Sequence, residues 1–572
     1  MTDSPLTLAQ PEDTHSRAEW EAATAAVLRK ARRLAEDDAD SLVWDKLART
    51  TLDGVVITPL GTPADLEGRQ TAGRPTRAGA WDIRARLAGA EEKLLNEHAL
   101  VDLDGGVTSL WVGASVYTDF GALLDKVLLD LAPVVLDPVG DPVAVASAFL
   151  EHATYADLHP ATNLGVDPIG GALRGLVEPG TQKNVDDIVT VARLAQEHGI
   201  LGLVVDATAA HDLGASDVQE LAHSLYAGAQ YLRVLEQAGV DVADAARLIE
   251  FRYAATDEQF PTIAKLRAAR RLWARVLELS GVSGVEQRQH VVTSRPMYSK
   301  YDPYVNMLRA TVAAFAAGVG GADAVTVLPF DEPLGQPEAF GRRIARNVSH
   351  LLMDESHVHE VADPAGGSYA VEKLTDDLAV AAWELFGRLD EGEDITPLIE
   401  ATVAAREAAI AKRKQPITGV SEFPNLAEEL PVREPSVDGA FVRRYAASFE
   451  ALRDEPATQP VFLATLGPIA QHTARATFAA NLLAAGGIAV DVAGATSGVD
   501  DLLKAYAGQP VVCLAGSDAA YAEWGADAAA ALREAGASRV IIAGKPTDYA
   551  DASCAMGVDA LAFLNQTREA LA

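Results

Sequence analysis

Few residues in this 572-residue chain have the types and spacing that chemistry needs. The densest cationic run is Lys265, Arg267, Arg270 and Arg271, spaced to lie along one helix. Such a run could hold an anion, or could form a solvated or salt-bridged helix face. His211 lies in Asp206-Ala207-Thr208-Ala209-Ala210-His211-Asp212, and His472 in Leu466-Gly467-Pro468-Ile469-Ala470-Gln471-His472. An imidazole can ligate a metal or shuttle a proton. No metal-ligand cluster, Ser/His/Asp set or phosphate loop accompanies either one, so His472 reads by default as a lone surface or loop histidine and His211 as a loop-top packing residue. Cys513 and Cys554 lack CxxC spacing and sit in apolar stretches, as buried free thiols do. Gly318-x-Gly320-Gly321 is explained by a turn before a strand at Ala324 more simply than by a dinucleotide fingerprint.

Composition sets the outer bounds. With 49% hydrophobic residues the chain can bury a sizeable core, and its length predicts more than one domain. A net charge of −33, from 48 basic and 81 acidic residues, repels phosphate backbones and argues against nucleic acid as a partner. Met1 to Gln10 has neither a basic region nor a long apolar run, and no membrane-length apolar stretch follows. Together these argue for the cytoplasm and for no membrane partner.

Periodicity supplies the elements. Ser16 to Asp37 reads as an amphipathic helix, and Gly68 to Ala80 as an extended arm. From Trp81 to about Arg406, apolar runs such as Ser109–Val112, Val134–Leu136, Leu203–Val205, His290–Thr293 and Ala324–Leu328 alternate with helical patterns. A helix is expected from Asp141 to His152, and another from the N-cap Ser216 to a C′ glycine at Gly239. Repeated strand–helix units predict a parallel barrel or a doubly wound sheet. Ala401 to Lys414 reads as a helix. Gln415 to Pro460 follows as a linker with a helix over Phe441–Arg453. The end of the chain alternates again: strands at Val461–Ala464, Ile488–Val492, Val511–Leu514, Val540–Ala543 and Ala560–Phe563, with helices such as Thr473–Ala485, predict a flavodoxin-like domain.

Several stretches together resemble the methylmalonyl-CoA mutase family. They are Trp81-Asp82-Ile83-Arg84, the helix Ile263 to Ala274, Arg343-Ile344-Ala345-Arg346-Asn347, Asp363-Pro364-Ala365-Gly366-Gly367-Ser368-Tyr369 and Gln415 to Val420. The helix and the Asp363–Tyr369 stretch are the most specific and read as mainly architectural. The resemblance covers roughly residues 40 to 572. It implies a (β/α)8 TIM barrel followed by a flavodoxin-like, cobalamin-binding-type domain.

The resemblance also implies reactive groups that these positions lack. In the family a histidine of an Asp-x-His-x-x-Gly loop ligates cobalt; here Ile469, Gln471 and Ala474 stand at the Asp, His and Gly positions. An amide oxygen is a poor cobalt ligand, and isoleucine cannot orient an imidazole. His472 is the weak candidate for an alternative ligand, although shifting the alignment by one residue leaves the rest of the motif unmatched. Gly544-Lys545 replaces a Gly-Gly that faces the nucleotide tail, so Lys545 is expected to crowd that groove. In the barrel, Ala209 and Thr208 take the positions of the family's general-acid His and its Tyr neighbour. Alanine offers none of the roughly 10²–10⁴-fold of general acid catalysis. Arg86 falls at a substrate-contacting Tyr; His290 matches a family His, but Val292 replaces the neighbouring Gln.

Losses in both domains point to a chain like the small (beta) subunit of the heterodimeric bacterial enzymes. Such a subunit has no catalytic residues, no cofactor site and no metal of its own. Its partner is a catalytic large (alpha) subunit that holds adenosylcobalamin. The expected division is a subunit-contact segment at 1–60, a barrel domain of acyl-CoA mutase type at 61–406, a linker at 407–458 and the flavodoxin-like domain at 459–572. The alternatives are an independently active mutase with a diverged axial ligand and a regulatory binding module.

Overall fold

The computed structural model describes residues 14–69, 71–89 and 91–572. The stretch Met1–Gln10, read above for a leader, lies outside the described residues. Helix α1 (Arg17–Lys30) begins on a Ser16 capping box. With the short helices that follow, it forms a separate small cluster of Trp20, Ala25, Leu28, Leu34, Val43 and Trp44. A two-strand hairpin, β1 (Arg49–Thr50) and β2 (Val56–Ile57), comes next. Residues 71–80 carry no regular element, as an extended arm should. A Cβ at Gly73 would stand 1.9 Å from the Arg267 carbonyl oxygen, so only glycine lets the arm press there.

Eight parallel strands close a barrel: β3 (Asp82–Leu87), β4 (Ser109–Ser115), β5 (Val134–Val139), β6 (Asn163–Val166), β7 (Leu201–Asp206), β8 (Ile249–Ala255), β9 (Arg288–Thr293) and β10 (Ala324–Thr326). β10 pairs with both β9 and β3, which completes the ring. The strands are apolar because helices cover their outer face. Their inward positions are another matter: Arg84, Arg86, Glu250, Arg252, Arg288 and His290 interrupt the apolar runs at every second residue.

The covering helices start and stop where their caps require. Helix α2 (Asp217–Gln237) opens on a Ser216–Gln219 capping box, and Gly239 follows it at φ +85°. Helix α3 (Gln259–Leu279) carries the cationic motif and lies against α2 and α4 (Tyr369–Asp390). Trp273 of α3 packs on Phe251 of β8 at 4.7 Å between ring centroids.

The second sheet has the order β12-β11-β13-β14-β15, all parallel: β11 (Val461–Thr465), β12 (Val490–Val492), β13 (Val511–Ala515), β14 (Arg539–Ala543) and β15 (Ala552–Cys554). The chain therefore combines a TIM-type barrel with a flavodoxin-type sheet. Ala560–Phe563, expected as the fifth strand, is instead the first turn of a helix, Ala560–Leu571. The Asp559 carboxylate accepts from Ala562 N, and the buried positions Ala560, Phe563, Leu564, Thr567 and Leu571 recur at helical spacing. The helix expected from Thr473 begins at Ile469, directly after Pro468, and runs to Ala485 (α5, Ile469–Ala485). The linker helix spans Ala447–Asp454 rather than Phe441–Arg453. No helix among the described residues is long and apolar enough to cross a membrane.

Candidate functional site

The barrel centre is filled by this chain's own side chains. Arg84 is fully enclosed and bonds Glu250 Oε1 at 2.7 Å and Ser109 Oγ at 3.0 Å. One layer above, the Trp111 indole lies among three guanidinium groups, with Arg252, Arg86 and Arg295 at 4.0, 4.3 and 5.6 Å from a ring centroid. Cations over an indole face are attracted by its quadrupole, most strongly where water is excluded. Arg252 also donates to Asp206 Oδ2 at 3.0 Å and to His290 Nδ1 at 3.1 Å. Burial together with Arg84 and Arg252 pushes the His290 imidazole well below its usual range, so it is neutral. With Nδ1 accepting, its proton sits on Nε2, 2.8 Å from Thr326 Oγ.

The mouth is closed from a distance in sequence. The linker residue Asp438 sits in a short 3₁₀ turn (Val437–Phe441) and takes a forked pair from Arg86, at 2.8 and 2.9 Å. Arg295 reaches the same carboxylate at 3.3 Å. Burial alone would raise the Asp438 carboxyl; Arg86 and Arg295 outweigh it and hold it below the ordinary carboxylate range.

Thr208 and Ala209 lie on a short buried helix, Thr208–Asp212, that follows β7. Thr208 Oγ donates to Asp206 Oδ1 at 2.5 Å, and Ala209 is wholly enclosed. His211 is buried too, on that short helix: Nε2 lies 2.7 Å from Ser294 Oγ and Nδ1 3.6 Å from Glu220 Oε2. Burial, Lys265, Arg406 and Arg295 push its imidazole well below its usual range.

In the second sheet the crevice at a topological switch point lies at the carboxyl ends of β11 and β13, the usual ligand place in such sheets. Beside it, Tyr521 lies over the carboxyl ends of β13 and β14. Its hydroxyl donates to Ala543 O at 2.8 Å and accepts from Gly516 N at 3.0 Å. Arg475 stacks 4.9 Å from the Tyr521 ring and donates to Gly516 O at 2.7 Å. Lys545, expected to crowd this groove, is exposed; Tyr521 and Arg475 are the side chains nearest Gly544. Ile469, Gln471 and Ala474 are exposed on the first turns of α5. His472 is buried and turned inward, its Nδ1 3.1 Å from Gly467 O.

The cationic helix and the Asp363–Tyr369 turn meet. Lys265 is fully enclosed between Asp217 at 2.9 Å and Glu220 at 2.6 Å. Arg267 bonds both Asp363 and Glu372. Arg270 donates to Gly73 O at 3.0 Å, and Arg271 to Asp376 at 2.6 Å. The face is salt-bridged rather than solvated.

Known proteins are similar to this chain in sequence. The family model described as "Methylmalonyl-CoA mutase" matches residues 166–508. A "Methylmalonyl-CoA mutase small subunit" from Streptomyces virginiae is 43% identical, over 99% of this chain and 98% of the relative. A "Probable methylmalonyl-CoA mutase small subunit" from Mycobacterium tuberculosis strain H37Rv is 42% identical over 94% of each chain. The small subunit from Propionibacterium freudenreichii subsp. shermanii is 33% identical over 100% of this chain and 97% of the relative.

This chain belongs to the methylmalonyl-CoA mutase family.

The methylmalonyl-CoA mutase family is one of cobalamin-dependent isomerases. At the loop that follows β11, the Gln471 amide is exposed and the buried His472 has Nδ1 3.1 Å from the Gly467 carbonyl oxygen. The barrel residues that dominate its centre, Trp111, Arg252, Arg295 and Asp438, were not singled out from sequence. A signal did exist for part of them: ionised residues two apart in otherwise apolar strands, as in Arg84/Arg86 and Glu250/Arg252, must face inward together. Asp438 had no local signal, because its partners Arg86 and Arg295 are 352 and 143 positions away.

Proposed function

We propose that this chain is the small, non-catalytic subunit of a heterodimeric, adenosylcobalamin-dependent methylmalonyl-CoA mutase. It holds neither coenzyme nor substrate and stabilises a catalytic large subunit, with which the assembled enzyme interconverts methylmalonyl-CoA and succinyl-CoA. The observation that carries this reading is the filled barrel: Trp111, Arg86, Arg252 and Arg295 occupy its centre, and Asp438 closes its mouth. Ala209 at the general-acid position and the inward-facing His472 support it. So do full-length relatives named as small subunits.

The segment at 1–60 is the partner-contact element in this reading. Its α1 cluster is too small to be stable on its own merits, and docking on the large subunit would supply the missing burial. Permanent interfaces of this kind bury roughly 2,000–5,000 Å². The assembled enzyme works in the cytoplasm.

Two preparations test the proposal. The chain alone, titrated with adenosylcobalamin, gives no change in the cobalamin spectrum and no turnover. Co-produced with the large subunit, it raises that subunit's unfolding temperature. A His-ligated cobalamin spectrum in the lone chain, lost in His472→Ala, would overturn the reading in favour of an independently active mutase.

A further inference from the structure

The helix Val305–Val319 covers the barrel between α3 and the helix Ala339–His350. A covering helix ordinarily turns its charges outward, as Gln182–His198 does with Lys183, Asp186, Arg193 and Glu197. Between Val305 and Val319 the one ionisable residue is Arg309, and it is buried, donating to Asn306 Oδ1 at 2.7 Å and to Ser299 Oγ at 2.8 Å. What faces outward instead is Tyr304, Leu308 and Val312, each one turn from the last, with Tyr304 65% and Leu308 69% exposed. The stripe continues sideways. Tyr304 stacks on Phe330 at 5.3 Å between ring centroids, and Phe330 meets the half-exposed Phe340 edge-on at 5.8 Å. Contiguous exposed apolar side chains of this kind mark a surface that a partner covers.

Charge says what kind of partner. Ala339–His350 holds three arginines and no carboxylate, in a chain of 48 basic and 81 acidic residues. Arg342 and Arg346 are both bonded to Asp102. Arg343 lies 5.6 Å from the Phe340 ring and has no carboxylate partner among the described residues. Aromatic residues and an arginine around an uncharged centre make up the core of a protein interface. A second copy fits it badly: a two-fold contact sets this helix against itself, arginine toward arginine, and joins two chains of net charge −33. We propose that Tyr304, Leu308, Val312, Phe340 and Arg343 form the face on which the large subunit docks, through an apolar surface with an acidic rim that pairs with Arg343. This rests on the subunit reading above. It adds to the contact at 1–60 the broad core that a permanent interface needs.

Binding of the full-length chain to purified large subunit tests this. The wild-type chain binds, and hydroxyl-radical footprinting of the complex protects Tyr304, Leu308 and Phe340. Leu308→Glu weakens binding at least about 100-fold and Arg343→Glu at least about 10-fold, as central apolar and charged contacts do. Each variant alone keeps its thermal midpoint within about 2 °C of wild type, because both side chains are exposed. Leu279→Glu, similarly exposed at the end of α3, binds as wild type does. A wild-type chain that fails to bind the large subunit overturns the subunit reading and this face with it. A complex that forms but leaves Tyr304 and Phe340 unprotected, or that survives Leu308→Glu unchanged, overturns the face alone. So does equal weakening by Leu279→Glu, or a lone chain that self-associates through Leu308, which would give the face to a second copy.

Discussion

Arg267 Nη2 on helix α3 stands 2.6 Å from Glu372 Oε1 on helix α4, just beyond the Asp363–Tyr369 stretch. The same guanidinium reaches Asp363, and Gly367 N donates to Glu372 at 3.0 Å, so the Asp363–Tyr369 turn is built around one arginine. Gly366 leaves room for that carboxylate: a Cβ would fall 2.4 Å from Asp363 Oδ2, which would have to shift. Two stretches about 100 residues apart thus form one structural joint.

Arg267→Ala leaves Glu372 buried without its counter-charge and is expected to cost about 3–5 kcal/mol of stability. Urea unfolding followed by circular dichroism measures it. A loss below about 1 kcal/mol would mean that water replaces the guanidinium at no penalty.

Glu332 gives a pH-dependent prediction. Burial raises its carboxyl to about 7, against the opposing pull of Arg295. The folded chain then holds a proton that the unfolded chain releases near 4.5, so stability falls as pH rises from about 4.5 to about 7. Glu332→Gln removes this loss: it stabilises the chain at pH 8 by about 1–3 kcal/mol and changes little at pH 4.5. Equal effects at both pH values would show that its charge is not the cause.

Gly228 lies where α2 passes over the aromatic pair of the barrel wall. A Cβ there would meet Trp273 Cζ3 at 2.8 Å and Phe251 Cζ at 3.1 Å. Gly228→Ala should therefore destabilise by about 1–3 kcal/mol despite the better helix propensity of alanine. A rise in thermal midpoint would refute the close approach.

Tyr521→Phe strips the hydroxyl that lies over the ends of β13 and β14 and leaves Gly516 N without its acceptor. The expected cost is about 1–3 kcal/mol, read from denaturant unfolding monitored by near-ultraviolet circular dichroism. The variant should still show no cobalamin spectrum, because the empty volume of one oxygen adds no cobalt ligand.

Much of the architecture could be read from the sequence. Strands such as Val511–Ala515, buried on both faces, announce themselves as unbroken apolar runs, and caps such as Ser216 fix where helices begin. The reading failed where a short apolar run fits either element: Ala560–Phe563 has strand-like content, and only the Asp559 cap and the later spacing to Leu571 reveal a helix. Pro468 similarly marks the true start of α5 four residues before the expected one. The interior of the barrel was least legible. Arg84 and Glu250 are 166 positions apart, and nothing local to either says that they share a bond. The substitutions at Ala209 and Gln471 were visible as residue types, whereas the inward turn of His472 toward Gly467 required coordinates.

The guanidinium pile around Trp111 also sets a limit on change. Each of its ions is neutralised by another buried group, so trimming any single member strands a charge away from water. Hollowing this barrel into a passage would require several simultaneous exchanges, each intermediate less stable than the start. A lineage that acquired such a plug would find the way back uphill at every step, and sequence drift alone would preserve the blockage.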